Sequence, residues 1–105
     1  MELFDIFIAY ISWGSVGKRR PVLVFSQGDD TVEVFQITTQ YERKSKAIRV
    51  KYLKINDWRL SGLDKLSYID TNNIVELPTA VFDTKTPIGQ LTRKDRLRLR
   101  EFINK

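Results

Sequence analysis

Residues 20–39 are RPVLVFSQGDDTVEVFQITT, two apolar runs separated by a polar turn. Residues 20–26 are almost continuously apolar after Pro21, and proline is tolerated at the first positions of a strand. In residues 31–39 apolar and polar side chains alternate, which is typical of a strand with one buried face. Gly28 and the two aspartates after it favour a turn between the runs. This segment therefore predicts two strands joined by a turn.

Further runs on both sides extend the pattern. Residues 3–11 are rich in apolar, β-branched and aromatic side chains and predict a strand, whereas the glycines of residues 13–17 predict a loop. Residues 47–53 alternate and predict another strand, and residues 67–78 predict two strands with a tight turn at 70–73. Strands at intervals of about ten residues favour a small barrel or sandwich.

Two segments predict helical structure. Residues 56–63 predict one short helical turn, with an asparagine that can cap its start and a glycine that can end it. The last residues predict a longer helix, in which Thr92 caps the N-terminus and Asp95 follows three positions later. Its narrow apolar stripe requires packing against the strands, because such a helix is not stable alone. The stripe consists of Leu99, Phe102 and Ile103.

Composition excludes several classes of protein. The chain has 105 residues, which favours one domain, and contains no cysteine and no histidine. A disulfide framework, a thiolate nucleophile, a Ser-His-Asp triad and most zinc sites are therefore excluded. No apolar run approaches the ~20 residues that a membrane helix needs, and the acidic N-terminus is unlike a secretory signal. We expect a soluble protein of the cytoplasm.

Positive charge is concentrated in two segments. The net charge is +5, yet residues 15–54 alone have nine basic and four acidic residues, and residues 92–105 have six basic and two acidic ones. Such clustering fits a polyanionic partner, of which nucleic acid is the commonest. A solvated basic surface that only keeps the protein in solution explains the charge equally well.

Three consecutive cations stand just before Pro21 and the apolar run that follows it. Arg20 is the most constrained of Lys18, Arg19 and Arg20, because it is next to Pro21 and the strand. A guanidinium held there can grip a phosphate with two hydrogen bonds. The alternative is a basic turn that protects a sheet edge.

The next strand ends in QITTQ, residues 36–40, where hydroxyl groups and backbone N–H groups can donate to an oxyanion. Tyrosine beside cations in residues 41–46, YERKSK, suits base stacking and phosphate contact. The basic residues 93–100 could lie on nucleic acid or an acidic peptide. Ordinary strand, loop and solvated-helix roles explain the same residues.

Taken in order, these motifs resemble the PemK/MazF family of toxin ribonucleases. The resemblance rests on KRRPVLVFS at 18–26, QITTQ at 36–40 and the basic loop that follows. Residues 55–63, the SYID of 67–70 and the PIGQLT of 87–92 are also similar to PemK-like members, so the likeness spans nearly the whole chain.

The resemblance implies a fold and partners. The expected fold is mainly β with α: a small SH3-like β-barrel with a short helix and a C-terminal helix packed on it, in a single domain of residues 1–105. Family members form homodimers, bind single-stranded RNA in a groove across the dimer and are covered there by a small antitoxin. Exposed apolar strands, such as those we expect around Phe7 and Phe35, are compatible with a dimer. No membrane is involved.

The resemblance also implies an activity. The family cuts single-stranded RNA at a short sequence without metal or cofactor, leaving a 2′,3′-cyclic phosphate and a 5′-hydroxyl. Its catalytic arginine and threonine match Arg20 and Thr38. Residues 13–19 contain no acid, so the group that takes the 2′ proton stays open between Glu42 and a phosphate-bound water. The expected RNA-binding residues are Lys18, Arg19, Ser26, Thr39, Gln40, Tyr41, Arg43 and Lys44. The alternative is a non-catalytic SH3-like module that binds RNA or an acidic peptide.

Overall fold

The computed structural model describes residues 1–105, apart from the side chain of Trp13. The described chain forms an antiparallel sheet of six strands with the order β4-β5-β3-β2-β1-β6, curled into a half-barrel. The elements are β1 (Asp5–Trp13), β2 (Val16–Gln27), β3 (Thr31–Thr38), α1 (Lys46–Arg49), β4 (Tyr52–Lys54), β5 (Tyr68–Pro78), a 3-10 turn (Thr79–Phe82), β6 (Gly89–Gln90) and α2 (Arg93–Ile103). This architecture confirms the predicted mainly β class with a C-terminal helix.

Each face of the sheet has its own core. Because side chains alternate along a strand, Leu23 and Phe35 point to the face that α2 covers through Leu99. Phe7 and its cross-strand neighbours point to the other face, which Phe82 covers. The rings of Phe7 and Phe35 are both buried, so the expectation that they lie exposed for a dimer is wrong. Each ring packs against another aromatic ring, Phe7 against Phe82 and Phe35 against Phe25.

Helix α2 begins as the sequence predicts. The Thr92 hydroxyl accepts a hydrogen bond from the Asp95 backbone N–H at 3.4 Å, and Leu99 lies 1% exposed against the sheet. The Asp95 carboxylate is buried and accepts hydrogen bonds from the backbone N–H groups of Asn56 (3.3 Å) and Asp57 (2.8 Å). Asp95 thus also ties the helix to the 56–63 segment.

The predicted loop at residues 13–17 is a tight hairpin instead. β1 and β2 remain paired as far as Trp13 and Val16, and Gly14 adopts the positive φ of +63° that the turn needs. As a result, the cations at positions 18–20 lie within β2 rather than in a loop before it.

Residues 47–53 differ from the sequence prediction, whereas residues 56–63 agree with it. Residues 47–53, predicted as one strand, contain α1 and then β4, because the Ser45 hydroxyl accepts from the Ile48 N–H and starts a helical turn. Residues 56–63 are consecutive turns that include the predicted single helical turn: the Ser61 N–H donates to the Asp57 carbonyl oxygen at 3.1 Å, and Gly62 ends the turn with a φ of +86°.

Strand β5 replaces the predicted strand–turn–strand of residues 67–78. Ile74 pairs with Phe35 and Asp70 pairs with Gln36, so residues 71–73 bulge out opposite a single step of β3. The chain therefore departs from the sheet near the predicted turn but does not reverse. The bulge has a consequence for the side chains, because without it Asp70 and Ile74 would point to the same face.

Candidate functional site

The strand register brings polar side chains together at one end of the sheet. Val22 of β2 pairs with Gln36 of β3, and continuing that register by two residues places Arg20 opposite Thr38. Paired residues of antiparallel strands point to the same face. Arg20, Gln36 and Thr38 therefore lie on the face whose far end is filled by the Phe7 core.

The next two strands extend this polar row. Thr38 pairs with Tyr68 and Gln36 pairs with Asp70 on β5, and Asp70 in turn pairs with Tyr52 on β4. The 71–73 bulge is what turns Asp70 to this face. Four neighbouring strands thus contribute side chains to one surface.

Two clefts open on this surface and share a wall. A basic cleft of about 440 Å³ and a polar cleft of about 280 Å³ are both lined by Arg20, Thr38 and Gln40. The basic cleft is completed by Lys18, Arg19, Pro21, Ile37, Thr39, Arg43 and Ser67. The polar cleft is completed by Gln36, Lys44, Tyr52 and Asp70. The predicted catalytic pair therefore stands between a strongly positive cleft and a mixed one.

The hydroxyl of Thr38 has a defined orientation. The side chain is 8% exposed, and Oγ1 accepts a hydrogen bond from the Gln40 backbone N–H at 3.0 Å. Since a hydroxyl has one hydrogen to donate, this bond leaves the O–H directed elsewhere, available to a ligand oxygen. Thr38 is thus arranged as a donor at the wall of the clefts.

The loop that follows β3 is tied down by Arg49 and two tyrosines. Arg49 donates to the carbonyl oxygens of Tyr41 (3.1 Å) and Glu42 (2.6 Å), and its guanidinium lies 5.1 Å from the centre of the Tyr41 ring. The Tyr41 ring stacks on that of Tyr68 with centroids 4.4 Å apart. Arg43 and Lys44, one on each cleft, are carried on this anchored loop.

Tyr52 forms part of the polar cleft as a neutral phenol. Burial raises the pKa of its hydroxyl above 10.0, the Asp70 carboxylate raises it further, and Arg20 opposes both effects. At neutral pH the hydroxyl is therefore protonated and able to donate a hydrogen bond.

Most of the predicted site residues meet at the clefts, but not all of them. Tyr41 lies beside the clefts in the stack on Tyr68, rather than in their lining. Ser26 pairs with Glu33 near the other end of β2, six residues or roughly 20 Å along the strand from Arg20. The Glu42 side chain is 85% exposed, with a carboxylate oxygen 3.7 Å from the Arg49 guanidinium.

Sequence reasoning missed Gln36, Tyr52, Ser67 and Asp70 as lining residues. The pattern assigns Asp70 to a turn and Tyr52 to a strand, and only the register shows that these two residues are neighbours. Among the described residues there is no group of three or more potential metal ligands, and no helix long and apolar enough to cross a membrane.

The curled antiparallel sheet with a helix over one face defines a MazF-like fold. Among solved structures, the Mycobacterium tuberculosis toxin MazF-mt6 is similar to this chain with a TM-score of 0.70 and 23% sequence identity, over 95% of this chain and 92% of that one. This likeness confirms the fold that the sequence resemblance predicted. No family model and no curated protein sequence matches the chain.

Proposed function

We propose that this protein is a toxin endoribonuclease that cuts single-stranded RNA at a short sequence. The observation that carries the proposal is that Arg20 and Thr38 both line the shared wall of the two clefts, at positions that the extended β2–β3 register puts opposite each other. Their match to the family's catalytic pair and the MazF-like fold support the same activity.

The proposed reaction needs no nucleophile from the protein. The ribose 2′-oxygen attacks the adjacent phosphorus, the bond from phosphorus to the 5′-oxygen breaks, and the products are a 2′,3′-cyclic phosphate and a 5′-hydroxyl. The 2′ proton passes to a phosphate-bound water, and this protonated water gives a proton to the leaving 5′-oxygen, so that no net proton is gained or lost. Arg20 and the Thr38 hydroxyl donate hydrogen bonds to the phosphate oxygens, where negative charge grows in the transition state. No metal or cofactor is required.

The basic cleft is the proposed path of the RNA backbone. Lys18, Arg19 and Arg43 line it, and their charges attract phosphates without reading sequence. Binding through such contacts weakens steeply as the salt concentration rises. We further propose that two copies form a homodimer, that a small antitoxin covers the RNA surface, and that the protein acts on RNA in the cytoplasm.

The test is expression of the chain from a tightly controlled promoter, with mapping of cellular RNA 5′ ends, followed by cleavage assays with purified protein in a chelator. We expect growth arrest and new 5′-hydroxyl ends at one short sequence. Since removal of one transition-state donor costs about 10²–10³ in rate, Arg20→Ala and Thr38→Ala should abolish arrest while the proteins still fold. Arg59→Ala and Thr86→Ala, two exposed positions away from the clefts, are the matched controls.

Two results would contradict the proposal. If the wild-type protein binds RNA but produces no new ends, the non-catalytic binding module is correct. If cleavage persists in both Arg20→Ala and Thr38→Ala, the protein is a nuclease whose site lies elsewhere.

A further inference from the structure

We infer that the polar cleft receives an RNA base bearing an exocyclic amino group and excludes uracil, with the Asp70 carboxylate as the acceptor that distinguishes them. The inference rests on the proposed function for its ligand, single-stranded RNA, but not on cleavage.

Asp70 is held in place from several directions. Its backbone pairs with Gln36 on one side and Tyr52 on the other. The Oδ1 atom accepts a hydrogen bond from the Asn72 N–H at 2.8 Å, and Thr71 donates from both N–H (3.0 Å) and hydroxyl (2.5 Å) to the Lys51 carbonyl. A carboxylate has about four lone-pair sites, so the bond from Asn72 leaves others to face a ligand.

A carboxylate is the wrong group for the RNA backbone. Asp70 is the one acidic residue among the described residues that line either cleft, and it would repel phosphates. Its neighbours in the polar cleft include the Tyr52 hydroxyl and the Gln36 amide, which are neutral hydrogen-bonding groups. Such groups suit the edge of a base, and single-stranded RNA is read through base edges in this way.

The chemistry of the base edges then selects among the four bases. Adenine, cytosine and guanine each present an amino group, whose hydrogens a carboxylate accepts well. Uracil presents a single N–H between two carbonyl oxygens, and these would be forced against the carboxylate. The neutral Tyr52 hydroxyl can donate to the acceptor ring nitrogen beside the amino group of adenine or cytosine. The volume of the polar cleft, about 280 Å³, is slightly below the roughly 300–1,000 Å³ of pockets that bind drug-sized ligands, which are larger than a single base.

The experiment selects binders from a randomised pool of 2′-fluoro RNA, which lacks the attacking hydroxyl and cannot be cleaved by the proposed route. We expect wild-type protein to deplete uracil at one position of the bound sequences. Asp70→Asn should relieve the depletion roughly tenfold at that position alone, since one good base contact provides about this discrimination. The asparagine oxygen can still accept from Asn72, so the bulge is preserved. Asp29→Asn, at the turn on the opposite end of β2 and β3, is the matched control.

Ordinary RNA is then cleaved with the same proteins to separate this inference from the proposed function. Identical base preferences for wild type and Asp70→Asn would overturn the inference while leaving the nuclease intact. Loss of cleavage at every sequence by Asp70→Asn, with unchanged base preference in binding, would also overturn it and assign Asp70 to the chemistry. Selective binding by a wild-type protein that never cuts RNA would support the inference and refute the proposed function. Failure of the wild type to bind RNA would refute both.

Discussion

The Arg49 guanidinium holds the main chain of Tyr41, donating from Nε to the carbonyl oxygen at 3.1 Å while lying over the ring of the same residue. Arg49 is on the short helix α1, so one side chain links that helix to the loop carrying Arg43 and Lys44. Arg43 and Lys44 reach the clefts only if this loop keeps its conformation. Arg49 therefore acts as a positioning residue for these two cations.

Replacing Arg49 with alanine should loosen this loop without unfolding the protein. Two amides report on it: Gln40 N–H donates to the Thr38 hydroxyl, and Lys44 N–H donates to the Tyr41 carbonyl. Arg49→Ala removes both charged hydrogen bonds to the loop, so we expect it to accelerate hydrogen exchange of these two amides at least tenfold, which corresponds to about 1.4 kcal/mol. Arg59→Ala also removes an exposed arginine that lies over an aromatic ring, and it should leave both amides unchanged. Equal protection in all three proteins would show that the loop is held by other contacts.

The buried Asp95 carboxylate leads to a prediction about stability. It accepts from the N–H groups of Asn56 and Asp57 and from Arg98 at 2.8 Å. Asp95→Asn removes the charge and one acceptor oxygen, so the free energy of unfolding should fall by about 2–3 kcal/mol in urea denaturation. Glu101→Gln, an exposed change of the same kind on α2, should have little effect. A common midpoint for both variants would mean that water replaces these hydrogen bonds at no cost.

The elements that follow from local patterns are those that the sequence predicts well. Residues 20–39 form β2 and β3, and Thr92 caps α2, because alternation and capping depend on neighbours along the chain. The change from helix to strand within residues 46–54 cannot be predicted from local pattern, because a few alternating residues fit either element. Bulge 71–73 depends on pairing with a strand more than thirty residues earlier, which local pattern does not contain.

The residues of the candidate site show the same difference between local pattern and strand pairing. Arg20 and Thr38 could be predicted because each stands in a recognisable motif beside a strand. Asp70 and Tyr52 could not, because their proximity is a matter of register between β4 and β5. Ser26 belongs to the matching motif but lies near the far end of β2. Position in a motif therefore does not by itself place a side chain at the clefts.

Strand β6 approaches the 61–62 segment so closely that a side chain has no room there. A Cβ at Gly89 would collide with the backbone carbonyl of Ser61, and backbone cannot turn aside as a flexible side chain can. We expect Gly89→Ala to lower the free energy of unfolding by about 1–3 kcal/mol, measured by thermal or urea denaturation. Gly28→Ala is the control, because its Cβ would meet Thr31 at an ordinary 3.5 Å. Equal stability of both variants would mean that β6 can move away from the Ser61 carbonyl at no cost in free energy.

The raised pKa of Tyr52 provides a test of the polar cleft that is independent of RNA. Burial is the main cause of the raised pKa. In the unfolded chain the phenol ionises with a pKa near 10.0, whereas in the folded protein it is still neutral at that pH. The stabilisation is fully present below pH 10 and is lost as the pH rises through the folded pKa. Tyr52→Phe should therefore remove part of the loss of stability above pH 10, whereas Tyr10→Phe, at a residue 60% exposed, should not.

Two further substitutions should move this pKa in opposite directions. Asp70→Asn removes a nearby negative charge and should lower the pKa of Tyr52, while Arg20→Ala removes a positive charge and should raise it. Ultraviolet titration of each variant, with its Tyr52→Phe counterpart subtracted, measures the shift of this one phenol. Opposite shifts would show that Tyr52 lies close to both the Arg20 and the Asp70 charges in the polar cleft. Shifts of the same sign, or none, would mean that the two charged groups do not meet at Tyr52 in solution.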